Sequence, residues 1–177
     1  MNRRTFIIGS IAGAAALSAG GITWLSIDPA SEPLTIAHSI QKLDNLIKAN
    51  PTTTGEWNLY QVLTHCAQSV EYSISGYPEH KPGIFKNTVG KAAFSAFSIK
   101  GRMRHGLNEI IPGAPGFLKE ENLEQAYNRF RTSLLDFDAH QGPLKQHFAY
   151  GTLSKAEYEK AHAMHFNNHL SEIVLAG

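Results

Sequence analysis

Nine histidines stand among 177 residues, and two of them fall at a spacing that can grip an ion. His165 and His169 are four residues apart in a segment whose apolar residues follow a helical period. Their Cβ atoms therefore lie one turn apart on one face, which lets two imidazoles bind a single metal. His162 lies one turn earlier and only about 60° round the helix from His165. Spacing alone leaves open which pair would bind. A metal site in a helical bundle also needs a ligand from a facing helix, and His65 is the obvious supplier. Its helical neighbours Asn58, Gln61, Val62, Ser69 and Tyr72 are mixed in character, so it borders an apolar stripe rather than occupying its centre.

Three neutral imidazoles on zinc, or on nickel, iron or manganese, would leave one coordination position open. Water in such a position has a pKa near ~7, and a substrate thiol there ionises. The competing reading is structural, since histidines on a helix edge are commonly half-buried or solvated. His147 lies in the connection before the last helical segment, where it either orders a turn or reaches a nearby site. His147 and Glu172 are the candidate proton carriers. His38, His80, His105 and His140 have no partner pattern and read as ordinary surface.

Composition narrows the chemistry further. Cys66 is the only cysteine, so thiolate zinc sites, redox motifs and an intramolecular disulfide are excluded, and any metal is left to His, Asp or Glu. Lys plus Arg is 16 against 15 for Asp plus Glu, a formal charge of +1. That balance offers no basic face for nucleic acid. The length suits one domain, and a hydrophobic content of 42% is that of a packed globule.

Five helices are needed to carry these residues. Ser31 can cap a first helix in which Ile36, Ile40, Leu43 and Ile47 form one stripe, ending at Asn50-Pro51. Thr53 and Glu56 have capping-box spacing, and Leu59, Leu63, Cys66 and Val70 then mark a second helix that stops by Gly76-Tyr77-Pro78. Phe85, Val89, Ala93, Phe94 and Phe97 make a less regular third segment, interrupted by Gly90. Leu123, Tyr127, Phe130, Leu134 and Phe137 keep regular phase through a fourth helix, after the rigid loop Ile111-Pro112-Gly113-Ala114-Pro115-Gly116. Ser154 and Glu157 form another capping box, opening a last helix that is predicted to run to about Val174. No segment alternates with period two for long enough to propose a sheet. The predicted fold is all-α, a four-helix bundle with an extra helix in the crossover connection.

The first thirty residues read as an address, with the bundle domain occupying 31–177. Arg3-Arg4 precedes an uncharged run from Thr5 to Ile27, and Arg3-Arg4-Thr5-Phe6-Ile7 resembles a twin-arginine export signal. The expected location is periplasmic or exported. A run of that length can also span a bilayer and anchor the chain through residues 5–27.

Several segments together resemble a known family: Trp57 with Gln61-Val62-Leu63 and His65, then Ser73 with Gly76-Tyr77-Pro78, then Ile111-Pro112-Gly113-Ala114-Pro115. His147-Phe148 with Tyr150-Gly151 and Leu153-Ser154 follows, and His165 with Asn168-His169-Leu170 closes the pattern. The chain resembles the bacterial domain-of-unknown-function family 1569, within the DinB-like superfamily of four-helix bundles, over nearly all of residues 32–177. The resemblance implies a divalent metal held by one histidine of the second helix and a pair on the last, which map to His65, His165 and His169 and leave His162 outside. It also implies thiol-transferase-type chemistry on a small molecule, and the expected export makes hydrolysis by a metal-bound water at least as plausible. The alternatives are a non-catalytic metal- or ligand-binding module and a purely structural bundle. The expected partners are a small-molecule substrate or ligand and a second copy in a homodimer, with no nucleic acid and with membrane contact only through the N-terminal segment.

Overall fold

Thr35, in extended backbone, accepts a hydrogen bond from the His38 N–H and caps helix α1 (Ile36–Lys48). The computed structural model describes residues 32–118 and 122–175, so the Ser31 cap read from sequence lies outside the described residues. The buried face of α1 is Ile36, Ser39, Leu43 and Leu46. It is turned slightly from the expected stripe, leaving Ile40 and Ile47 half-buried.

Helix α2 (Leu59–Ser75) starts later than the Thr53 and Glu56 spacing suggested. Asn58 and Gln61 form the capping box, each side chain bonded to the other's backbone N–H. Thr52–Thr53 is instead a short strand, β1, paired antiparallel with β2 (Ile173–Val174). The expectation of no sheet is corrected by this pair, which is too short to leave a period-two signature. The same pairing ends the last helix early: α5 (Lys155–Leu170) stops before the expected Val174. Its capping box of Ser154 and Glu157 forms as read.

Between α2 and the fourth helix the chain makes one turn at Gly83–Phe85, a π-helical turn at Lys86–Gly90, and helix α3 (Lys91–Lys100). A Cβ at Gly90 would stand 1.9 Å from the Ala149 carbonyl oxygen, so the absent side chain lets the π turn dock on the segment before α5. Only Phe94 of the expected stripe enters the core here; Val89 is exposed. Helix α4 (Leu123–Ala139) is capped by Asn122 and buries Phe130, Leu134 and Phe137 as its phase predicts. Its first two stripe residues rise out of the core: Leu123 is exposed, and Tyr127 sends its hydroxyl to Asp44 at 2.8 Å.

The four long helices neighbour one another in the order α1, α4, α2, α5, with α2 and α4 the most intimate pair and α3 lying in the crossover. The fold is a four-helix bundle with an extra crossover helix. From Val62 to Val70 every residue of α2 is buried. That run includes Thr64, His65, Gln68 and Ser69, and polar groups taken inside cost stability unless something there bonds them.

The membrane contact expected through residues 5–27 is corrected. Among the described residues no helix is long and apolar enough to cross a membrane, the longest being 17 residues where a span needs about 20, predominantly apolar. The anchored, exported or periplasmic placement read from that segment has no support among the described residues. Residues 5–27 themselves, with the twin-arginine-like signal, lie outside them.

Candidate metal centre

Helix α2 carries His65 into the interior, and α5 presents His165 and His169 one turn apart toward it. One nitrogen from each ring lies within 4.8 Å of the other two. Ring centres are 4.9 Å apart for His65 and His165, and 5.0 Å for each of the other two pairs. The rings are steeply tilted to one another, by 67° to 73°, so their edges rather than their faces converge.

Within the cluster one hydrogen bond leaves several nitrogens unpaired. His65 Nε2 and His165 Nε2 are 3.0 Å apart and share one proton in a hydrogen bond. His65 Nδ1 and both nitrogens of His169 are buried with no partner. Each such orphan costs roughly 1–3 kcal/mol. Burial pushes His65 and His169 down to about 3, and His105 and the neighbouring rings add to the effect. His165 is also held well below the usual histidine value by burial, with His65 and His169 next in weight. All three rings are therefore neutral at physiological pH, the form that binds metal. Three neutral imidazoles with no thiolate or carboxylate among them suit a borderline divalent ion, which would meet one nitrogen of each ring where the three lie within 4.8 Å of one another.

Trp57 covers the cluster, stacked 6.0 Å from His169 and edge-on to His65 at 5.0 Å. Phe117 packs edge-on against the same indole. The indole thus adds to the burial of His65 and His169. His105, read from the sequence as ordinary surface, is a correction. Its ring stands 4.8 Å from His165 and 5.2 Å from His169, and burial lowers its pKa. It sits on an irregular connection after α3, where no period exists to reveal which side chains turn inward.

A cavity of about 150 Å³ opens beside the cluster, lined by His65, His165 and His105 together with His147, His162 and Tyr150. His147 serves both of the roles open to it. Its Nδ1 accepts from the backbone N–H groups of Ala149 and Tyr150 at 3.1 and 3.2 Å, ordering the turn that the His147–Gly151 bridge closes. A neutral imidazole that accepts at Nδ1 carries its proton on Nε2, so this ring is a donor. Burial pushes its pKa down to about 3, which keeps it neutral. His162 does not join the cluster. Its Nε2 lies 3.3 Å from Ser73 Oγ, whose own proton goes to the Val70 carbonyl at 2.6 Å. The hydroxyl therefore accepts from His162, whose ring stacks on Tyr158 and meets Phe137 edge-on.

Glu172, read with His147 as a proton carrier, is placed elsewhere. Its carbonyl accepts from the Thr54 N–H at 2.8 Å beside the strand pair, and its carboxylate lies over Gly55. Residues 34–175 match the family described as protein of unknown function (DUF1569). No curated protein and no solved structure matches the chain.

Proposed function

The chain belongs to the DUF1569 family, and from the site it builds we propose a metal-dependent enzyme acting on a small molecule. His65, His165 and His169 are its ligands for one divalent ion, and a kinship with the DinB-like bundles is part of the proposal. One observation carries it: three neutral imidazoles converge within 4.8 Å, and two of them, His65 and His165, line a cavity that a small organic molecule can enter.

A divalent ion there supplies Lewis acidity to a polar group of the substrate or to water, the basis of hydrolase or thiol-transferase chemistry. The chain's own residues do the rest. His147, locked as a donor by two backbone N–H groups, offers a hydrogen bond from the lining of the same cavity and orients the substrate. Trp57 and Phe117 keep bulk water off the ligand edges. A non-catalytic binding module shares the same three ligands and differs only in lacking turnover.

Metal analysis of the full-length, untagged protein tests the reading. About one equivalent of a divalent ion is expected in the wild type. None is expected in a His65→Ala, His169→Ala double variant that keeps its helical circular dichroism. Equal metal content in both proteins would overturn the assignment.

A further inference from the structure

We infer that His105 is a fourth nitrogen ligand, so that the resting centre is held by four imidazoles and opens when a substrate or other small donor takes the place of His105. The inference rests on the three-histidine reading and goes one residue beyond it.

The first support is distance. Four imidazoles bonded through nitrogen to one ion at about 2 Å, in a tetrahedral array, have their ring centres about 5 Å apart. His105 stands 4.8 Å from His165 and 5.2 Å from His169. These separations match the 4.9 to 5.0 Å found among His65, His165 and His169. Five of the six edges of a tetrahedron of rings are thus in place.

The second support is the state of its two nitrogens. His105 Nδ1 is 2.7 Å from the Gly106 carbonyl oxygen, an acceptor only, so Nδ1 carries the proton and Nε2 the lone pair. Histidines that ligate metals characteristically donate their second nitrogen in this way, often to a backbone carbonyl, which fixes tautomer and ring orientation. Its Nε2 is buried and has no hydrogen-bond partner. A surface histidine would turn that nitrogen to water. Here a lone pair is held inside, against His165 and against His169, whose two nitrogens are themselves without partners.

The third support is the mounting. His65, His165 and His169 ride on helices that the bundle holds on two sides, whereas His105 rides on the irregular connection that follows α3. The remaining edge, His65 to His105, is the one to be closed, and a loop-borne ligand can close it or withdraw without disturbing α2 or α5. Such a ligand would let the ion meet a molecule in the cavity, which His105 lines together with His65 and His165.

Loading the metal-free, full-length chain with Co²⁺ reads the ligand set directly through visible absorption, with no need for a substrate. H105G should show altered bands, and free imidazole added to H105G should restore the wild-type spectrum. Zn²⁺ affinity, measured by competition with a chelator, should fall about tenfold or more in H105G. H105Q, which keeps the bulk, replaces H105G if the glycine variant loses its helical circular dichroism. One shared spectrum and one shared affinity for wild type and variant would overturn the role of His105 while leaving the three-histidine site standing. A wild-type chain that takes up neither ion would overturn both.

Discussion

His162 and the pair His165 and His169, all on α5, have opposite surroundings. His162 lies between Tyr158 and Phe137, with Ser73 accepting a hydrogen bond from its N–H. His165 and His169 face His65, and His169 has no partner for either nitrogen. Burial lowers the pKa on both faces, to about 3 for His162 and for His169 alike. Neither burial nor neutrality therefore separates a packed histidine from a candidate ligand. The separating feature is whether the buried lone pairs already have partners. At His162 the protein supplies a hydroxyl, and at the cluster it leaves His65 Nδ1 and both His169 nitrogens without a partner.

Acid should give the largest effect, because it attacks both faces. His147 and His162 are held neutral with pKa values of about 3 against an ordinary 6.5. Below 6.5 the unfolded chain takes up protons that the folded chain refuses. Their contribution is therefore complete above about 6.5 and is lost as the pH falls toward about 3, amounting to several kcal/mol. Urea melts of the metal-free protein between these limits should show falling stability. H162F should flatten the slope by removing one of the groups, and an unchanged slope would mean that His162 titrates normally in the fold.

Separating the two faces calls for a smaller perturbation of each. His162→Ala removes a packed, hydrogen-bonded ring and should cost about 2–4 kcal/mol, with metal content unchanged. His169→Leu replaces orphaned nitrogens by an apolar group of similar size, which should leave the metal-free protein equally stable or more so, while metal uptake is lost. Thermal melts and metal analysis on the same two variants test the contrast. A large stability loss in His169→Leu would show that its nitrogens are satisfied after all.

Legibility in the sequence followed the range of the forces involved. Leu63, Cys66 and Val70 on α2, and Phe130, Leu134 and Phe137 on α4, are all buried because helical period is written locally. The pair His165 and His169 was legible for the same reason, and His65 once a facing helix was required. Thr53 and Glu56 misled because the capping-box spacing is local, whereas the pairing that draws Thr52–Thr53 into β1 comes from Ile173–Val174 at the other end of the domain. His105 was illegible on similar grounds. What turns its ring inward is the Gly106 carbonyl on one side and α5 on the other, and neither leaves a repeat in a loop.

The smallest test falls on the one hydroxyl that distinguishes the faces. Ser73 is fully buried; it donates to the Val70 carbonyl and accepts from His162 Nε2. Ser73→Ala leaves the His162 N–H without an acceptor, a loss of roughly 1–3 kcal/mol when the donor stays buried. Against this, alanine is the better helix former and removes a side chain that competes for a backbone carbonyl, returning a few tenths of a kcal/mol. The net expectation is a destabilisation of about 1 kcal/mol, seen as a lower urea midpoint at unchanged slope. Metal content should not change, because Ser73 meets α5 at His162 and not at His165 or His169. A Ser73→Ala protein as stable as the wild type would mean that His162 is held by ring packing alone. Both faces of α5 would then bury unsatisfied nitrogen, and the convergence of three rings, rather than their missing partners, would be left to mark the metal centre.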